Sequence, residues 1–397
     1  MTHLSGHGRR STETDVITPS PGVLLAPLGD GAVACDVASD QAHLLDQTSA
    51  WILETVTESA VSVDQLCDAA AGESGITRSE AGHLIGTRVR TLVELGLLGR
   101  DQPVTRPGPL RGSTAPPGDR SVGVTHAVID HGVAFRSSDP SLLAEVDDFL
   151  GPAVDSRAAD LYFDVERHGN GGITLDTDDQ WIFPSRSAFQ AQLPGVLNEY
   201  AARTHGCITV HSGAVRTPDG RVLLLPGHID AGKSTVVAAM VLDGCDYLGD
   251  ESIGIDTTDL HLLGYPKPMT LDSTSRDVLG LERSDSPHLS VTEMRADTVR
   301  VAGSDLRPDL IILPEYHGPR PTEPAPDHRP GEIRRLTTSE AIKALLSNTL
   351  NLERAGEAGL TALCRLAESV PVITVSHHDS VTLAQQIARG TLDIPSP

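Results

Sequence analysis

The chain has 397 residues, with 31 Lys and Arg against 54 Asp and Glu, a formal charge of −23 and only 3% aromatic residues. That charge excludes a general nucleic-acid binder, because a phosphate backbone needs a basic surface. No run approaches the ~18 apolar residues of a membrane span, so no membrane partner is expected. The length calls for more than one core, and with so few aromatic residues those cores must be built from Val, Leu, Ile and Ala. Five scattered cysteines (Cys35, Cys67, Cys207, Cys245, Cys364) without a C-x-x-C read as reduced thiols of a cytoplasmic protein.

Residues 1–20 are polar, lack the apolar core of a signal peptide and are expected to be a disordered tail. Three short apolar runs follow, Val23–Ala26, Ala32–Cys35 and Ala42–Leu45, punctuated by Gly29-Asp30-Gly31 and Ala38-Ser39-Asp40. They predict hairpin-like strands. Thr48–Val56 has helical spacing. Ser62-x-x-Gln65 and Thr77-x-x-Glu80 are capping boxes opening two more helices. The third helix is expected to place Leu84, Ile85, Val89, Leu92 and Val93 on one face and to stop at Gly96. The order β-β-β-α-α-α over 21–100 makes a small α+β, winged-helix-like domain.

The strand-turn-strand with Asp36, the segment Leu44-Leu45-Asp46-Gln47-Thr48-Ser49-Ala50-Trp51-Ile52 and the terminal Leu92-Val93-Glu94-Leu95-Gly96-Leu97-Leu98 resemble the PqqD-like domains that recognise leader peptides. Asp46 stands where that family usually has asparagine. The resemblance implies that the leader of a precursor peptide adds to the strand Gln41–Leu45, beside the last helix, by main-chain pairing. The alternative is a module that packs against the rest of the chain or mediates self-association.

Residues 101–120 hold five prolines and three glycines and read as a linker. In the large unit, 121–397, Leu161–Val165 is strand-like, and Ser187–Arg203 is a helical stretch expected to be interrupted by Pro194. Cys207–Val210 is a strand followed by His211. Then comes the strongest local signal of the chain: an apolar run, 221–226, the loop Gly227-His228-Ile229-Asp230-Ala231-Gly232-Lys233-Ser234-Thr235, and a helical pattern over 234–242. This is G-x4-G-K-[ST] between a strand and a helix. The backbone amides of such a loop cradle phosphates, the lysine reaches the outer oxygens and the serine hydroxyl can hold Mg2+. The pattern is unusual in a chain with three lysines, Lys233, Lys267 and Lys343. The bland alternative is a glycine-rich turn.

Cys245–Leu248 is a further strand. It ends at Gly249-Asp250-Glu251, an acidic pair that can return to the phosphate end of the sheet as metal ligands or as a general base. Taken alone, such a pair is more often a solvated turn. Asp309–Leu313 and Val370–Val375 are buried strands; Ala341–Leu346, capped by Thr337-x-x-Glu340, and Val381–Ile387 are helices. His377-His378 lacks a matching ligand cluster and reads as a loop.

His211, the loop, Leu248-Gly249-Asp250-Glu251 and Tyr265-Pro266-Lys267-Pro268 together resemble HPr kinase/phosphorylase and its relatives. The resemblance implies an α/β P-loop domain with a mixed sheet related to phosphoenolpyruvate carboxykinase, and ATP and Mg2+ as cofactors. It also implies Asp250 as general base, His211 near the transferred phosphate, Glu251 with Ser234 and Asp250 at the metal, and Lys267 as added positive charge. Thr235 replaces a usual glutamate, Glu251 a usual aspartate, and the glycine- and arginine-rich segment linked to HPr contact has no counterpart. The function expected is therefore an ATP-dependent kinase acting on a Ser or Thr hydroxyl of a ribosomally made precursor peptide. The alternatives are a kinase of a small hydroxyl metabolite and a nucleotide-gated peptide scaffold without turnover.

Overall fold

The computed structural model describes residues 16–39, 41–59, 61–74, 76–99, 120–151, 158–177, 180–203, 206–228, 231–282, 288–289, 306–317 and 332–392. The chain divides into two compact units, Met1–Arg106 and Pro107–Pro397. The linker expected at 101–120 falls outside the described residues except for Arg120.

In the first unit β1 (Val16–Pro19) precedes the hairpins β2 (Val23–Leu28), β3 (Gly31–Asp36) and β4 (Gln41–Leu45). Then come α1 (Gln47–Glu58), β5 (Val61–Ser62), α2 (Val63–Ser74), α3 (Arg78–Glu94) and β6 (Leu98–Gly99). The expected tail through Ser20 is thus wrong for Val16–Pro19: β1 is the middle strand of an antiparallel β5-β1-β6 sheet. A four-residue run with one neighbour on each side carries too little pattern to be seen alone.

The other sheet is antiparallel with order β2-β3-β4, so β4 is an edge among the described residues. Both capping boxes form: Ser62 N–H donates to Gln65 Oε1 (2.8 Å) and Gln65 N–H to Ser62 Oγ (3.2 Å), and Thr77 and Glu80 exchange the same pair. The core takes Ile85, Val89 and Leu92 from α3, as spacing demands. Leu84 and Val93 depart from the expected face and are 38% and 50% exposed.

Gly31 is a fixed point of this sheet. A Cβ there would stand 2.1 Å from the Leu45 carbonyl oxygen, a backbone atom of the neighbouring strand. Gly31→Ala is expected to push β4 off β3 and to cost on the order of 2 kcal/mol. An unchanged urea midpoint for the first unit in that variant would show that the strands absorb the methyl.

The second unit opens with β7 (Ser121–Val128), β8 (His131–Ser137), α4 (Pro140–Leu150), β9 (Leu161–Arg167), β10 (Ile173–Asp176), β11 (Gln180–Phe183) and α5 (Arg186–Ala201). Its five strands form a sheet in the order β11-β10-β9-β8-β7. Helices α4 and α5 contribute Leu142, Val146, Leu193, Val196 and Leu197 to the core shared with this sheet. Helix α5 runs through Pro194 without the expected interruption. Proline removes one backbone donor there, but the residue is buried with Leu193, Val196, Leu197 and Tyr200, and that packing holds the helix.

The rest comprises β12 (Cys207–Val210), β13 (Ser212–Arg216), β14 (Val222–Pro226), α6 (Lys233–Leu242), β15 (Asp246–Gly249), β16 (Ile253–Asp256), β17 (Leu262–Leu263), β18 (Met269–Thr270), α7 (Ser273–Val278) and β19 (His288–Leu289). It continues through β20 (Leu310–Tyr316), β21 (Ile333–Arg335), α8 (Thr338–Leu346), α9 (Leu352–Ser369), β22 (Val372–His377) and α10 (Ser380–Ala388). The central sheet is mixed, in the order β15-β13-β14-β20-β22-β21; β14, β20 and β22 run parallel and the other pairs antiparallel. The fold is thus mixed α/β. Helices α6 and α10 bury Val236, Val237, Met240, Leu383 and Ile387 against the sheet's Leu223, Leu225, Ile312 and Ile373. The five cysteines are all buried thiols. No helix among the described residues is long and apolar enough to cross a membrane.

Candidate active site

The site lies at the carboxyl ends of the parallel strands, where open α/β sheets bind ligands. β14 ends at Pro226, and the chain passes Gly227 and His228 to enter α6 through Ala231 and Gly232. Ile229 and Asp230 of the expected loop lie outside the described residues. Gly232 has φ +78° and caps α6 without any side-chain hydrogen bond. A Cβ there would meet Tyr316 and His377 at 3.3 Å, so backbone conformation and space both require glycine. The first amides of α6 are therefore left for a ligand, and the helix end favours an anion.

Lys233 opens the helix and is 5% exposed. Its Nζ lies 2.7 Å from His211 Nε2, in the short link between β12 and β13. The main chain fixes that link: His211 N–H donates to the Asn348 carbonyl (2.6 Å), and the His211 carbonyl accepts from Gly227 N–H (3.4 Å). Burial lowers the Lys233 ammonium from its ordinary value and Lys267 adds to that, while Asp250 and Glu251 oppose it. Burial and then Lys233 hold the His211 ring below its usual value, so it stays neutral near pH 7 and can accept from the lysine.

Asp250 and Glu251 follow β15. Asp250 is 0% exposed, and neither carboxylate oxygen has a hydrogen-bond partner among the described residues. Gly213 on the neighbouring strand makes room for it: a Cβ there would be 3.4 Å from Asp250 Oδ1 and 2.4 Å from Val237 Cγ2. Glu251 has φ +73°, a left-handed conformation that a residue with a side chain adopts only when its surroundings hold it there.

Those surroundings are specific. The bridge between Gly249 and Tyr265 brings the 265–268 segment alongside, and Tyr247 Oη donates to the Lys267 carbonyl (3.1 Å). Lys267 Nζ then pairs with Glu251 Oε2 at 2.6 Å, its side chain 0% exposed. Asn198 of α5 donates to the same oxygen at 2.7 Å. Burial pushes the Glu251 carboxyl up, but Lys267 and Asn198 outweigh it and bring it below its usual value. Lys267 is thus Glu251's counter-ion, and its charge also reaches Lys233. Thr235 Oγ1, where a glutamate was the family expectation, bonds Ser275 Oγ at 2.9 Å and ties α6 to α7.

The structure therefore brings Lys233, His211, Asp250, Glu251 and Lys267 into one cluster beside Gly232. It adds two residues that the sequence reading missed. Asn198 gave no local signal. His377 was read as loop, yet it ends β22 as a buried residue against Gly232. Burial drives its ring pKa down to about 4, helped by His317. An unfolded histidine protonates near 6.5. Between pH about 6.5 and 4 the unfolded chain thus binds a proton that the native ring refuses, and stability falls as pH falls. His377→Gln is expected to flatten that loss by up to about 1.4 kcal/mol per pH unit. Parallel unfolding curves for the variant and parent across this window would refute the assignment.

No protein-family model and no curated protein matches the chain. Among solved structures it is similar to the HPr(Ser) kinase/phosphatase from Coxiella burnetii, with 15% identity over 46% of this chain and 86% of that one and a TM-score of 0.27. At that level of superposition the functional reading rests on the site's own geometry.

Proposed function

We propose that the chain is an ATP-dependent kinase that phosphorylates a Ser or Thr hydroxyl of a ribosomally made precursor peptide whose leader is held by the first unit. The observation that carries the phosphotransfer reading is Asp250, a fully buried carboxylate without a hydrogen bond among the described residues, in one cluster with a buried lysine at the mouth of a phosphate loop. A buried carboxylate with no donor is costly unless a cation or a proton-bearing ligand arrives.

Mg2+ fits this donor set, with Asp250 and Ser234 as the residues that would hold it. Bound, it would supply charge neutralisation to the phosphates. Glu251, already engaged by Lys267 and Asn198, would add its negative charge near the ion rather than a free ligand oxygen. In the transfer, the substrate hydroxyl oxygen forms a bond to the γ-phosphorus, the bond to the β–γ bridging oxygen breaks and ADP leaves. Asp250 has two oxygens, enough for one metal contact and for the proton of the attacking hydroxyl. Lys233 leaves His211 for the outer phosphate oxygens, and the amides of α6 take the charge that develops.

The peptide part rests on the edge strand β4. Leu44 on this strand is 41% exposed. On α3 the helical spacing of Leu84, Arg88, Thr91 and Leu95 makes one stripe, in which Leu84 and Leu95 are 38% and 37% exposed. Arg88 Nη2 reaches Asp46 Oδ2 at 2.6 Å and so holds this stripe beside the end of β4. An open edge with apolar side chains next to it suits strand addition by an extended peptide. Tethering the peptide raises its effective concentration at the second unit.

Mass spectrometry of a reaction with Mg-ATP and any short precursor-like peptide found encoded beside this gene tests the reading, with Lys233→Ala as control. One added phosphate on Ser or Thr, absent in the control, is the expected result. A bound but unmodified peptide would replace this reading with a nucleotide-gated scaffold. An unbound, unmodified peptide would replace it with a small-metabolite kinase.

A further inference from the structure

A cavity of about 480 Å³ opens at the end of β22 and along α10, with Ile333, Val375, Leu383 and Leu392 as apolar walls and Thr382 and Gln386 at its polar rim. We infer that it receives the purine base of the nucleotide whose phosphates occupy the loop, an inference that rests on the phosphate-loop reading above.

Three observations place it there. The first is strand order. In β15-β13-β14-β20-β22-β21 the loop follows β14, the acidic pair follows β15 two strands to one side, and the cavity follows β22 two strands to the other. Two strand spacings are about 10 Å. A nucleotide whose terminal phosphate points to Asp250 therefore carries its nucleoside end towards the cavity.

The second is His377, which belongs to both places. It lines the cavity, and its ring stands 3.3–3.5 Å from where a Cβ of Gly232 would be. It is 5% exposed. The Ala231 backbone is near enough to favour its protonated form slightly, but among the described residues neither ring nitrogen makes a hydrogen bond of normal geometry. A buried imidazole with open nitrogens at the junction of loop and cavity is placed for a ribose hydroxyl or an inner phosphate.

The third is the chemistry of the walls. Branched aliphatic side chains give a flat heterocycle an apolar slot. The Gln386 side chain, exposed at the rim, offers a paired donor and acceptor of the kind that reads a purine edge. Helix α10 packs against α6, so the slot is rigidly tied to the phosphate site.

The test compares ATP with inorganic tripolyphosphate, which has the phosphates and no base, by calorimetry on the full chain. Gln386→Trp fills the cavity from an exposed position; Lys233→Ala strikes the loop. The inference expects Gln386→Trp to weaken ATP at least tenfold and leave tripolyphosphate unchanged, while Lys233→Ala weakens both. A Gln386→Trp protein that binds ATP as the parent does, or loses both ligands equally, overturns the base pocket and leaves the loop standing. A parent that binds neither ligand overturns the loop reading and this inference with it. Photolabelling of the parent with 8-azido-ATP needs no variant: label within residues 372–392 supports the pocket, and label confined elsewhere overturns it.

Discussion

Asp250→Asn is expected to lower the rate of phosphate transfer by on the order of 10³-fold while ATP binding survives. The amide keeps the size of the carboxylate but cannot accept the hydroxyl proton at neutral pH. The native carboxylate is 0% exposed and makes no hydrogen bond among the described residues. Removing its charge relieves a desolvation cost but withdraws a charge that supports the buried Lys233 ammonium, so the melting temperature should change little. The combination is diagnostic. A residue that only built the site would take stability down with activity. Parental turnover in the variant would remove Asp250 from the chemistry altogether.

Lys267→Met is expected to cost about 3 kcal/mol of unfolding free energy, because it leaves the partly buried Glu251 without its counter-ion. The pair is close, 2.6 Å, and the lysine side chain is fully buried. Losing one partner of such a pair hurts more than losing both, so adding Glu251→Gln should restore most of the deficit. The pH dependence carries a sign. In the parent, Lys267 and Asn198 bring the Glu251 carboxyl below its ordinary value near 4.5. Its contribution is present above that value and is lost as pH falls through the folded one. In Lys267→Met burial dominates, the carboxyl rises, and the variant should instead gain relative stability on acidification. A Lys267→Met deficit under ~0.5 kcal/mol, the scale of an ordinary surface change, would mean that Glu251 does not depend on this lysine.

What could be read from the sequence was what is written locally. The loop glycines, Lys233, the capping boxes at Ser62, Thr77 and Thr337, and the acidic pair after a short strand are patterns of a few adjacent residues. The structure places Lys233, His211 and Asp250–Glu251 in one cluster. What stayed hidden depends on distant partners. Lys267 meets Glu251 only because Gly249 bridges to Tyr265. His377 meets Gly232 only because β22 lies two strands from β14. Asn198 comes from a helix that belongs to another sheet. Helix α9 also went unread: its buried face mixes Leu352, Leu360, Leu363 and Leu366 with Ala, Gly and Cys, and Gly356, at φ +57°, breaks the helical run near its start. Leu84 and Val93 are placed with the core face by helical spacing, yet both are exposed, because spacing does not say how wide the covered stripe is.

The hydrogen bond from Asn198 to Glu251 also sets where the second unit can be cut. The motifs begin at His211, and a fragment starting near residue 206 would seem to hold everything that matters. It would lack Asn198, and it would lack the Ala201 carbonyl that accepts from Thr209 Oγ1 (3.1 Å). Residues Phe163, Phe183, Tyr200 and Cys207 share one core, so the same cut would open that core to water. The smallest fragment worth expressing for nucleotide binding or crystallisation therefore starts ahead of β7, near residue 120, and a shorter piece should be insoluble even with every loop residue in place.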